Sequence, residues 1–147
     1  MNAGELCVRR VVTADPGESV VDAAKRMRDE HVGDLVVVER IGGKVHPIGL
    51  VTDRDLVTRS LAQGASGLDL RVSDVMVGGP VTATEDDHVE TVLAKLKRHG
   101  IRRIPIVDHT GALQGIVTFD DVVTWIGEQL ERATAIVEHQ GEPAGRA

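Results

Sequence analysis

The chain is written twice, and that duplication restricts its fold more than any single motif. One constant shift carries Val12-Thr13-Ala14 onto Val81-Thr82-Ala83. The same shift carries the stripe Val20, Ala23, Ala24, Met27 onto Val89, Val92, Leu93, Leu96, and the run Leu35, Val37, Val38 onto Ile104, Ile106, Val107. Three elements in one register mark a supersecondary unit copied in tandem. The shift then shortens by three residues, taking Gly49-Leu-Val-Thr-Asp-Arg-Asp-Leu-Val onto Gly115-Ile-Val-Thr-Phe-Asp-Asp-Val-Val. A longer hairpin loop in the first copy, over Arg40-Ile-Gly-Gly-Lys-Val-His against His109-Thr-Gly-Ala in the second, accounts for the difference.

Each copy reads as a short strand, a helix, two strands and a second helix. Pro16-Gly17 breaks the first strand, Ser19 is the candidate N-cap, and the i, i+3, i+4, i+7 stripe marks one buried helix face. Leu35 to Val38 and Ile48 to Val51 form a hairpin, and the second helices begin at Thr52 and Thr118. The fold class is therefore α+β, assembled from α/β-type β-α-β-β-α repeats. A unit of about 60 residues buries too little surface to be comfortably stable alone. Two should pack sheet against sheet, giving two small sheets related by a pseudo-twofold. The expected boundaries are 6–61 for the first unit, 62–71 for a Gly-bearing linker and 72–130 for the second unit. Residues 131–147 are expected as a helix end and a flexible tail, frayed from about Glu138.

Several function classes are set aside by composition. One Trp, one Phe and no Tyr leave a core of Val, Ile, Leu and Ala. A formal net charge of −6 argues against nucleic acid as a partner, which requires a basic surface. No run approaches the roughly 20 apolar residues of a membrane span, and Met1-Asn-Ala-Gly-Glu-Leu does not read as a secretory signal, so the expected location is cytoplasmic with no membrane partner. Cys7 stands alone and reads as a small buried hydrophobe. His31, His46, His88, His99, His109 and His139 lack the spacing of a metal site. Lys95, Lys97, Arg98 and His99 complement a helix C-terminus. No P-loop, Gly-x-Gly-x-x-Gly or nucleophile elbow is present, and Ser19, Ser60, Ser66 and Ser73 show no base partner. The expectation is a protein that is not an enzyme, with no metal and no catalytic cofactor.

The sharpest signal is Gly-φ-φ-Thr-x-x-Asp, where φ is aliphatic, at Gly49 to Asp55 and again at Gly115 to Asp121. Each copy sits where a strand turns into a helix. Unpaired N–H groups there suit a phosphate, the Thr hydroxyl can join them, and the Asp three residues on can accept a ribose cis-diol. Gly allows a ligand close to the backbone. The same Thr-x-x-Asp before an apolar run is also a capping box that only closes the helix, and both readings stand.

In order, spacing and duplication, these motifs resemble cystathionine-β-synthase (CBS) domain pairs, also called Bateman modules. The resemblance runs from about Leu6 to Ile126, with Arg102-Arg103-Ile104-Pro105-Ile106-Val107-Asp108 matching the strand before the second motif. It implies a cleft between the copies that holds AMP, ADP or ATP, or alternatively NAD or S-adenosylmethionine. Carried over by residue, Asp55 and Asp121 hold ribose hydroxyls, Thr52 and Thr118 lie near ribose and phosphate, and Arg102 and Arg103 contact phosphate. The base would lie against Val12, Val32 and Ile116 in one site and against Leu50, Val81 and Ile101 in the other, with Gly33, Ile104 and Pro105 also lining. Gly33-Asp34 replaces the Arg pair in the first copy, and Asp34 would repel a phosphate. Phe119-Asp120 replaces Asp53-Arg54 in the second. The cleft served by Thr118, Asp121, Arg102 and Arg103 is accordingly expected to be the better phosphate site.

The reading is a nucleotide-sensing regulatory module without chemistry, acting on a separate effector protein. The alternative is a structural dimerisation module in which the motifs are only caps. The resemblance implies a homodimer formed through helices; Trp125, Ile126 and Leu130 offer an apolar continuation of the last helix, to be read either as such an interface or as ordinary core.

Overall fold

The computed structural model describes residues 1–141; the tail expected to fray lies partly outside them, at 142–147. Two sheets form. The first comprises β1 (Thr13–Ala14), β2 (Asp34–Ile41), β3 (Lys44–Thr52) and β4 (Val77–Gly78), in that spatial order. The second comprises β5 (Ala83–Thr84), β6 (Arg103–Val107) and β7 (Leu113–Thr118). In each, the short first strand runs parallel to the second and the hairpin is antiparallel, with a register shift at the equivalent points Val37/Val38 and Ile106/Val107.

Helix α2 (Val20–Glu30) starts where the Ser19 hydroxyl accepts from the Asp22 N–H at 3.0 Å, and it buries Val20, Ala23 and Met27. Helix α5 (Val89–His99) buries Val89, Val92 and Leu96 in the same way. These stripes meet Leu35, Val37 and Val51 in the first core and Ile104, Ile106 and Val117 in the second. Each fully buried side chain of this kind stabilises by about 1.5–3 kcal/mol relative to exposure.

The lead-in segments are exchanged between units. Helix α1 (Ala3–Leu6) precedes the first repeat but packs on the second core, with the Ala3 N–H donating to Asp87 O at 2.7 Å and Val8 bridging to Ile116. Its counterpart α4 (Val72–Val75) precedes the second repeat but fills the first core, and β4 then pairs with β3 at Gly49 and Leu50. Here lies the reason for the motif glycines. A Cβ on Gly49 would sit 2.8 Å from Met76 Sδ, and one on Gly115 would sit 2.6 Å from Cys7 Sγ. The close approach expected of a ligand is made by the crossing segment instead. Cys7, half-buried here, has its thiol pushed up by burial.

Two local expectations change. The extra length of the first hairpin is not a loop. β2 and β3 extend to a two-residue Gly42-Gly43 turn with φ of 58° and 78°, the geometry that joins twisted strands most tightly. The second helix of the first repeat is also not continuous: α3 (Asp53–Asp55) passes into a wide π turn over Leu56–Ser60 and then 3₁₀ turns over Leu61–Asp69, interrupted at Gly64. The expected linker is therefore tightly coiled, with the buried Ser60 hydroxyl donating to Gly67 O at 2.7 Å. Its counterpart α6 (Phe119–Gly141) is one unbroken helix of 23 residues.

Candidate functional site

Register decides which residues face the junction between the sheets. Opposed residues of an antiparallel pair share a face, so Leu50 lies with Val36 and Thr52 with Asp34, while Ile116 lies with Pro105 and Thr118 with Arg103. These positions are absent from the two cores and point toward the other sheet, where β3 and β7 pack. Ile104 is one residue out of phase. It is fully buried in the second core and cannot line a cleft, which corrects its assignment. Pro105 is buried on the junction face, beneath the surface.

A cleft of about 450 Å³ opens at the junction, within the range of small-molecule sites. The end of β3 and the first turn after it contribute Leu50, Thr52, Arg54 and Asp55, and the segment entering β6 contributes Ile101, Arg102 and Arg103. The connection from β4 to β5 closes one side with Pro80 and Val81. The structure thus brings Leu50, Val81 and Ile101 together with one Thr/Asp pair. It groups Arg102 and Arg103 with Thr52 and Asp55 rather than with Thr118 and Asp121, because each strand-entry segment lies across the junction from the other repeat's motif. Val12 instead lines a separate, polar hollow with Arg10, Arg26 and Glu30, and Asp121 lines another with Met1, Glu5 and Trp125. Val12 and Val32 pack on the first core, and Ile116 pairs with Val8.

Both Thr/Asp motifs are capping boxes. Asp55 Oδ2 accepts from the Thr52 N–H at 2.9 Å and from its hydroxyl at 3.0 Å, while the Asp55 N–H donates to Thr52 Oγ1 at 3.1 Å. The second copy repeats this at 2.7, 2.8 and 3.2 Å. Each cap engages Oδ2 and leaves the second carboxylate oxygen; in Asp55, Oδ1 has only Arg59 Nε, 3.8 Å away. The cap and a ribose contact are therefore compatible in one side chain.

The helix-end N–H groups, by contrast, are already committed in the first copy. Asp53 N–H donates to Gly33 O at 2.9 Å, Arg54 N–H to Asp53 Oδ1 at 2.8 Å, and Asp55 N–H to Thr52 Oγ1. This overturns a phosphate site made of those amides, and it gives Gly33 a backbone role. In the second copy Phe119 N–H donates likewise to Arg102 O at 2.7 Å. Positive charge in the cleft comes from side chains. Arg102 is 70% exposed, lies 5.3 Å from the centroid of the Phe119 ring, and has a surface contact to Asp120 at 3.6 Å, too exposed to hold it firmly. Arg54, which the motif Thr-Asp-Arg-Asp displays, has no ion-pair partner among the described residues.

Arg103 and Asp34 occupy equivalent positions in the two repeats and touch each other, Nε to Oδ1 at 3.3 Å, so the pair straddles the pseudo-twofold axis. Asp34 does not repel a ligand as a free charge, since Arg103 answers it. Burial pushes the Asp34 carboxyl above the ordinary range, Arg103 opposes that shift and Asp53 adds to it. Among the described residues, no His/Cys/Asp/Glu group of metal-binding size forms, and no helix is long and apolar enough to cross a membrane.

Comparison with known proteins agrees with this architecture. The CBS domain family model matches residues 3–62 and 72–128. The CBS domain-containing protein YhcV of Bacillus subtilis is 34% identical over 133 residues, covering 89% of this chain and 91% of that protein. An uncharacterized protein, MK0525, of Methanopyrus kandleri is 37% identical over 123 residues, covering 84% of this chain, which spans 61% of that protein's length. Among solved structures, the CBS domain protein PAE2072 of Pyrobaculum aerophilum, complexed with AMP, superposes with TM-score 0.76 at 28% identity, covering 91% of this chain and 99% of that one. The CBS domain pair of protein MJ0100, in complex with 5′-methylthioadenosine and S-adenosyl-L-methionine, gives 0.75 at 26%, covering 88% and 98%. With its duplicated β-α-β-β-α units, its exchanged lead-in segments and a family match over both repeats, this chain belongs to the CBS domain family.

Proposed function

We propose that the chain is a ligand-responsive regulatory module whose cleft takes an adenine nucleotide, AMP, ADP or ATP, without chemistry on it. The observation that carries this reading is the convergence on one cleft of an apolar slot, a carboxylate oxygen and arginines. Leu50, Val81 and Ile101 provide aliphatic surface for a base. Asp55 Oδ1 faces a ribose diol, and Thr52 holds that carboxylate in place. Arg54 and Arg102 supply forked donors that match phosphate oxygens. The AMP complex of the Pyrobaculum relative supports the ligand class. S-adenosylmethionine and NAD are the alternative ligands; the sulfonium of the former meets like charge at Arg54 and Arg102.

Both repeats line the cleft, so a ligand binds best when the halves are held in one arrangement, and it shifts the population toward that arrangement by its differential affinity. A separate effector protein, or a second copy of the chain, reads the shift. The competing reading is a scaffold that binds no nucleotide, favoured by the fact that both motifs are closed capping boxes.

Calorimetric titration with AMP, ADP, ATP, NAD and S-adenosylmethionine separates the two. Saturable binding of a nucleoside phosphate that weakens as salt rises, and roughly tenfold or more in Arg102→Ala, is expected. Absence of heat with all five, in folded protein stripped of carried-over nucleotide, leaves the scaffold.

A further inference from the structure

β2 begins with Asp34 and β6 with Arg103, at equivalent positions of the two repeats. Identical copies would set two like charges against each other across the pseudo-twofold; this chain sets opposite ones there. The pair is nevertheless poorly made. Arg103 Nε stands 3.3 Å from Asp34 Oδ1, yet it is buried and has no aligned hydrogen-bond partner among the described residues. A buried donor left without a bond is costly, and so is a buried carboxylate that its partner does not fully answer. Burial keeps the Asp34 carboxyl above its ordinary value in spite of Arg103, and Asp53 adds to that shift. Arg103 therefore has a donor still to place.

Arg103 also lines the Thr52 cleft, whereas Asp34 does not. Of the three arginines there, Arg102 is 70% exposed and Arg54 is exposed, but the Arg103 side chain is exposed by only 27%. Charges held away from water interact more strongly, so Arg103 is the cation with the most to give an incoming anion. We propose that Asp34 is an internal competitor for that anion: it holds Arg103, an anion in the cleft must take the guanidinium from it, and Asp34 thereby sets how strongly the cleft favours phosphate-bearing adenine compounds over uncharged ones. This rests on the nucleotide reading and adds to it a residue that does not line the cleft. Giving up Arg103 leaves Asp34 beside Asp53, a like charge, which raises the cost of the exchange. Asp34 thus opposes a phosphate by occupying its donor rather than by repelling it. A pair that only joined the repeats would change stability when broken, but not the ratio between ligands.

The test is calorimetric titration of the full chain with AMP and with adenosine, in the parent, Asp34→Asn, Arg103→Ala and the double variant. Asp34→Asn keeps the side chain's size and removes its charge; Asp34→Ser takes its place if urea midpoints show that it does not fold. Asp34→Asn should tighten AMP binding by about fivefold or more, the scale of coupling between groups that share a partner, and should leave adenosine unchanged. In the Arg103→Ala background the same substitution should change AMP binding by less than about twofold, because no guanidinium is left to release. AMP affinity in Asp34→Asn equal to or weaker than in the parent overturns the proposal while the nucleotide reading stands. So does tightening that persists without Arg103, which would mark a general effect of charge, or equal tightening of adenosine, which would mark a reshaped cleft. AMP binding in neither the parent nor Asp34→Asn overturns both readings together.

Discussion

His31 and Gly100 close α2 and α5 at equivalent places, both in the left-handed conformation, with φ of 55° and 63°. Glycine enters that region freely, whereas a side chain costs about 1–2 kcal/mol there. Because His31 is exposed, His31→Gly should raise stability by up to about 1 kcal/mol, and Gly100→Ala should lower it by about 1 kcal/mol, both read from urea midpoints. Asp108 gives a pH-dependent case. The Thr110 hydroxyl first, then the Thr110 and Ala112 N–H groups and Lys44, hold its carboxyl down from 3.8 to about 2. A carboxyl lowered on folding stabilises above its unfolded value and loses that contribution as pH falls. The stability gap between the parent chain and Asp108→Asn should therefore be full above pH 4 and should close as pH approaches 2. Caps such as Ser19 and the two Thr/Asp boxes were legible in the sequence because they bond within one turn. The Asp34–Arg103 pair was not, since its partners meet only through the pseudo-twofold.

At the scale of elements, repeat register revealed the helices and hairpins but not the exchange of α1 and α4. Those segments are four residues each, too short to show a period. Their mark was nonetheless present in the two motif glycines, whose need comes from packing rather than from a ligand. Gly115→Ala should destabilise by about 1–3 kcal/mol, because its Cβ meets Cys7 Sγ at 2.6 Å and Val8 O at 2.9 Å. If chemical denaturation showed Gly115→Ala as stable as the parent chain, the packing explanation would fail. The broken helix after Thr52 was equally hidden. Its cause is the closure of Ser60 on Gly67, where a Cβ on Gly67 would stand 1.8 Å from Ser60 O. Local propensity does not show such a closure.

For the whole molecule, the pairing of motifs across the junction decides which residues a ligand in the proposed cleft would meet. The residues of the Thr52 cleft are visible one by one in the sequence, but their grouping is not: sequence alone sets the arginines with Thr118, and only the crossing of the two units places Arg102 in one cleft with Asp55. The two aspartates are therefore unequal: Asp55 faces arginines and aliphatic surface, while Asp121 faces a hollow beside Met1 and Glu5. The most direct measurement is nucleotide titration of Asp55→Ala and Asp121→Ala side by side, with urea midpoints confirming that both remain folded. Binding lost in Asp55→Ala and retained in Asp121→Ala is the predicted result. Loss confined to Asp121→Ala, or equal affinity in both variants and the parent chain, would contradict it.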